Sequence, residues 1–62
     1  MKIKSNQVWY SPLLNRLFIT KFRSNYLVSG MYIWFLADSM GDGLRCSATT
    51  GTFDDWDYIG KF

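Results

Sequence analysis

No window of about eleven residues in this chain carries an unbroken apolar stripe at helical spacing, and that one feature steers the fold toward strands. The apolar residues are mostly aromatic or β-branched, with turn formers between them at short intervals. Leu44-Arg45-Cys46-Ser47-Ala48-Thr49 alternates apolar and polar without a fault, which predicts a half-buried strand with Leu44, Cys46 and Ala48 inward. Just before it, Ser39-Met40-Gly41-Asp42-Gly43 reads as a hairpin loop, because Gly and Asp-Gly accept the positive φ angles of tight reversals.

The other elements follow from the same signals. Asn6 to Tyr10 reads as a first strand, ended by Ser11-Pro12 because proline removes a ladder donor. Leu13, Leu14 and Asn15 connect it to a second strand, Arg16 to Phe22, with Phe18, Thr20 and Phe22 on one side and Leu17, Ile19 and Lys21 on the other. Arg23-Ser24-Asn25 reads as a polar turn. Tyr26 to Ser39 is too long for one flat strand, and Gly30 predicts a bulge or sharp bend within it. A short buried helix over Tyr26 to Ala37 is the competing reading, since an apolar run alone does not separate the two. Thr50 to Asp55 is the last connection, and Trp56 to Lys61 the last strand, with Trp56 and Tyr58 on a common side. Together these predict a single all-β domain over residues 1–62: a small, strongly bent, five-stranded antiparallel barrel, SH3-like or OB-like, whose closure hides apolar edges.

Size and composition narrow the chemistry. A chain of 62 residues hides only about 60% of its unfolded surface, which leaves little material for a catalytic cleft. With no His, no Glu and one Cys, it lacks a disulfide framework, a Cys/His zinc site and any Ser-His or Cys-His pair. A non-enzymatic protein without cofactor or metal is therefore expected. Asp54, Asp55 and Asp57 are the one concentration of carboxylates, but in an extended segment only Asp55 and Asp57 share a side, so a solvated surface is the expectation. Asp38 and Asp42 do not make an EF-hand: Met40 stands at the third loop position and no Glu exists for the twelfth. Cys46, on an inward position, is expected to behave as a small hydrophobe.

Lys2 and Lys4 are followed by Ser5, Asn6 and Gln7 rather than by an apolar run, so no export signal is visible. The most apolar stretch, Tyr26 to Ala37, is shorter than the roughly 20 residues a membrane-crossing helix needs. A cytoplasmic protein without a membrane partner is expected.

The net charge of +2 conceals an asymmetry: residues 1–31 sum to +5 and residues 32–62 to −3. Strands of opposite sign can neutralise one another across a ladder, or the basic half can form a face for a polyanion or an acidic protein. The five Phe, four Tyr and three Trp are more informative, because each ring offers roughly 150–250 Å² to hide and so small a core cannot hide them all. Trp9-Tyr10 and Tyr32-Ile33-Trp34-Phe35 place large side chains on both faces of their strands. Trp9, Tyr10, Tyr32 and Trp34, with Arg16 or Arg23 alongside, are thus the candidate binding residues, Trp, Tyr and Arg being the types that dominate interface hot spots. The plain alternative is that all four aromatics belong to the core.

Val8, Trp9, Ser11 and Pro12 in the opening QVWYSP, with Trp56, Tyr58, Ile59 and Gly60 at the close, resemble the "VW-x-SP" start and "W-x-YIG" end of small accessory proteins of tailed bacteriophages and prophages. The resemblance implies a compact β domain that binds a host or phage protein in the host cytoplasm, and it brings no catalytic residues with it. Self-association as a homodimer is a second form of the same expectation. The ALYDY-type motif and paired tryptophans of SH3 domains are missing, so a proline-peptide ligand is not implied. The alternative function is a small single-stranded nucleic-acid-binding barrel, in which aromatic platforms stack bases beside Lys and Arg.

Overall fold

The computed structural model describes residues 2–38 and 44–62. Five strands form one antiparallel sheet: β1 (Gln7–Ser11), β2 (Arg16–Val28), β3 (Met31–Asp38), β4 (Leu44–Thr49) and β5 (Asp57–Lys61), in the spatial order β4-β3-β2-β1-β5. The five-stranded antiparallel sheet read from the sequence is present, with β4 and β5 as its edges. A 3-10 helix, Thr50–Asp55, carries the chain from one edge to the other.

β1 stops at Ser11, immediately before Pro12, and the Ser11 hydroxyl accepts the Leu14 N–H at 3.3 Å inside the turn. Asn15, at φ 53°, completes the reversal in the left-handed region that asparagine tolerates. Val8↔Ile19 through Ser11↔Arg16 then pair β1 with the first part of β2.

The next segment departs from the sequence expectations. Arg23, Ser24 and Asn25 do not turn the chain; they lie inside β2, which runs to Val28. The reversal falls instead at Ser29-Gly30, where both residues have positive φ (53° and 79°) and Val28 faces Met31, the signature of a two-residue type I′ hairpin. Gly30 is thus a turn residue rather than a bulge in one long strand, and the alternative helix over residues 26–37 is replaced by the end of β2 and most of β3. The bending sits in β2, whose register against β3 shifts between Thr20 and Phe22 and again between Arg23 and Leu27. Ser24 fills the second irregularity: its hydroxyl accepts the Ile33 N–H at 3.3 Å and donates to the Tyr26 carbonyl at 2.9 Å. The first shift also undoes the expected grouping of Phe22 with Phe18 and Thr20. Those two are buried, whereas Phe22 is half exposed and stacks on its cross-strand neighbour Phe35 at 4.8 Å.

Inward-facing residues of successive strands meet on one side of the sheet. Trp9 pairs with Phe18, Thr20 with Leu36, and Trp34 with Ala48. Phe53 of the 3-10 helix closes over them to complete a core of Trp9, Phe18, Trp34, Leu36, Ala48 and Phe53, with Ile3, Cys46, Trp56 and Tyr58 around its rim. The rings interlock edge-on, Trp9 against Phe53 at 5.0 Å and against Tyr58 at 5.4 Å, while Phe18 stacks on Trp56 at 5.2 Å. Burial of each such side chain contributes about 1.5–3 kcal/mol, so this small cluster carries much of the stability. The helix reaches β3 closely enough that a Cβ on Gly51 would stand 2.7 Å from the Met31 sulfur. Trp56 and Tyr58 share the inner side, as expected, as does Ala48. The expected loop at residues 39–43 and the Leu44 side chain lie outside the described residues.

Candidate functional site

The six candidate binding residues separate into three places. Trp9 and Trp34 are core residues, 5% and 6% exposed, so neither offers a surface to a partner in this conformation. Tyr10 and Arg16 sit at the β1–β2 turn end, where the Tyr10 phenol donates to the Asn15 side-chain oxygen at 2.6 Å and Arg16 makes an ion pair with Asp38 at 3.4 Å. Arg23 and Tyr32 sit on the outer half of the β2–β3 hairpin, with the exposed guanidinium 3.9 Å above the half-buried ring. Seven residues along β2 separate Arg16 from Arg23, about 20 Å of strand, so the two Arg-Tyr groups form no single site.

The outer hairpin carries a denser surface than the sequence pattern showed. Tyr26, Leu27 and Val28, consecutive in β2, are 80%, 58% and 46% exposed although the strand is paired there through Leu27↔Tyr32 and Val28↔Met31. Reading residues 23–25 as a turn concealed that this apolar run belongs to the same strand as Arg23. The signal that finds it is Ser29-Gly30, a hairpin dipeptide between two apolar residues.

A second surface was also missed. Backbone contacts bring the chain at Lys2, Lys4, Lys21 and Lys61 to the start of β1, with Lys61 on the face of its partner Gln7 and Lys21, next to the inward Thr20, on the opposite face beside Phe62. Gln7 is the hub: its side-chain oxygen accepts the Lys4 N–H at 2.9 Å, its amide donates to the Lys2 carbonyl at 3.5 Å, and it faces Lys61 across the β1–β5 ladder. Its backbone N–H donates at 2.9 Å to the hydroxyl of Thr20, the neighbour of Lys21. Phe62 folds onto the same place, donating its N–H to the Asn6 carbonyl at 2.8 Å, with the Lys21 ammonium 5.6 Å from its ring centre. Asp54, Asp55 and Asp57 are exposed at the other end of β5, where Asp57 faces Tyr10.

Cys46 borders the core, and burial, reinforced by the Asp38 carboxylate and opposed by Arg16, holds its thiol above the ordinary value of 9.0. Among the described residues no three Cys or acidic side chains gather as a metal site, and no helix is long and apolar enough to cross a membrane. Comparison with protein-family models, curated proteins and solved structures finds no significant match to this chain.

Proposed function

We propose that this chain is a non-enzymatic, phage-encoded protein-binding module of SH3-like architecture that acts in the host cytoplasm. The observation that carries the reading is the exposed end of the hairpin, where Tyr26, Leu27 and Val28 leave large apolar side chains in water, Leu27 on the face of its partner Tyr32 beneath the Arg23 guanidinium and Val28 on the opposite face. Leaving such side chains in water has no use for a lone domain, and Arg with Tyr are residue types that anchor interfaces. Support for an SH3-like barrel comes from the order β4-β3-β2-β1-β5, the bent β2 that ladders with both neighbours, and the 3-10 helix that leads into β5. Support for a phage origin is the VWYSP and W-x-YIG pair of motifs. A binding role rather than catalysis is favoured by a composition with no His and no Glu.

The partner is a host or phage protein with an apolar recess, and a second copy of the chain is the alternative form. Affinity capture from host lysate, run beside sedimentation equilibrium, tests both with the full chain and a Tyr26→Ser/Leu27→Ser variant. The expected result is one stoichiometric partner, or a concentration-dependent mass above 7.3 kDa, that disappears in the variant while its near-ultraviolet circular dichroism is retained. A partner or mass that is indifferent to the double substitution overturns the hairpin as the docking surface.

A further inference from the structure

We propose that the lysine end of the sheet binds the sugar-phosphate backbone of single-stranded nucleic acid, with Phe62 as a stacking platform for a base. The site is independent of the outer hairpin. Lys2, Lys4, Lys21 and Lys61 are all exposed, and among the described residues none makes an ion pair with an acid. These lysines sit at one end of the adjacent strands β5, β1 and β2 and of the segment before β1, about 10 Å across at ordinary strand spacing, with Lys21 and Phe62 on one face and Lys61 on the other.

The aspartates beside the start of β5 do not cancel this positive charge. Asp57 faces Tyr10 whereas Lys61 faces Gln7, four residues further along β5. That is about 13 Å of strand, against a Debye length of about 8 Å at physiological ionic strength, so the carboxylates are largely screened from anything docked on the lysines. Among the described residues the β1–β5 pairing therefore sets a cationic end of the sheet apart from the aspartates at the start of β5.

The ring beside the cations selects the kind of polyanion. Phe62 is 78% exposed, yet its backbone is fixed by the bond to Asn6 and its ring is held near the Lys21 ammonium. A phenyl face presented in that way can stack on an unpaired base, whereas paired bases in a duplex present only their edges. An acidic peptide or an anionic lipid surface would use the lysines but would gain nothing specific from a stacking platform.

The test is fluorescence anisotropy of a labelled ten-nucleotide oligothymidine titrated with the full chain at several salt concentrations. Four phosphate contacts predict a slope of log K against log salt of about −2.8. Lys21→Gln/Lys61→Gln should bring it to about −1.4, and Phe62→Ala should weaken binding by roughly 5- to 150-fold without changing the slope. All of these positions are exposed, and circular dichroism of each variant guards against unfolding. The Tyr26→Ser/Leu27→Ser variant should bind the oligonucleotide as the wild type does, which keeps this outcome separate from the fate of the hairpin. Absence of binding at low salt, equal affinity for duplex of the same length, an unchanged slope in the double lysine variant, or stronger competition by polyglutamate or phosphatidylserine vesicles would overturn the proposal.

Discussion

The indole N–H of Trp9 donates to the side-chain oxygen of Gln7 at 3.2 Å, two residues earlier on the same face of β1. The same oxygen accepts the Lys4 N–H, so one buried carboxamide satisfies a core tryptophan and ties the segment before β1 to the sheet. Thr20, fully buried, completes the arrangement by accepting the Gln7 N–H at 2.9 Å and donating to the Lys4 carbonyl at 2.5 Å.

Replacing either member strands buried polar groups. Thr20→Val keeps the shape but leaves the Gln7 N–H and the Lys4 carbonyl without this hydroxyl, at a cost of about 1–3 kcal/mol in urea unfolding. Thr20→Ser, which restores the hydroxyl, should recover most of the loss. Equal destabilisation by both substitutions would mean that the methyl group, not the hydrogen bonds, matters there.

Trp34→Ala and Trp9→Ala should destabilise the fold severely rather than report on an interface. Truncating a buried tryptophan costs about 3–5 kcal/mol, and a domain of this length has roughly 3–9 kcal/mol in all. Urea unfolding followed by circular dichroism should move to a much lower midpoint in both, whereas Tyr32→Ala, at a half-buried position, should move it less.

The hairpin at Ser29-Gly30 offers a backbone experiment free of packing effects. Ser29 holds a positive φ that asparagine adopts more readily, so Ser29→Asn should raise stability by about 0.5–1 kcal/mol. Gly30→Ala should lower it by about 1 kcal/mol through backbone strain alone, because no atom lies within 4 Å of the added methyl. Differential scanning calorimetry reads both signs.

Cys46 should remain a thiol at neutral pH and alkylate slowly with iodoacetamide. Since Asp38 pushes its pKa up and Arg16 pulls it down, Asp38→Asn should speed alkylation between pH 8 and 9 and Arg16→Gln should slow it. The folded thiol titrates above its unfolded value, so its contribution to stability is complete below that value and fades as pH rises through the folded one. A small loss of stability on the alkaline side of about pH 9 is the expected signature. Identical alkylation rates in all three proteins would remove Asp38 and Arg16 from the thiol's surroundings.

The sequence made legible the features that depend on a single strand. Pro12 stops β1, and Trp56 with Tyr58 turn inward, because proline chemistry and the two-residue period act locally. What remained hidden depends on bulges. Ser24 looks like a turn residue in the chain, yet in the sheet its hydroxyl does the work of a ladder group for Ile33, so β2 continues where polarity suggested an end. Some rings do reach the surface, but not the ones a strand pattern alone would place there. Phe22, Tyr26 and Phe62 are the exposed rings, whereas Trp9 and Trp34 face the core, because which side of a strand meets the second layer is decided by cross-strand register. The lysine end was illegible for the same reason: only the β1–β5 pairing brings Lys61 beside the opening segment.

That pairing also sets the order in which the molecule can be assembled. β5 is made after β1 and separated from it by the whole meander, so during synthesis β1 waits with one row of backbone donors and acceptors open until the chain's later residues arrive. Nascent chains halted before Asp57 should be the species most prone to recruit a foreign strand or a chaperone, which makes the closing ladder the step where productive folding and aggregation part ways.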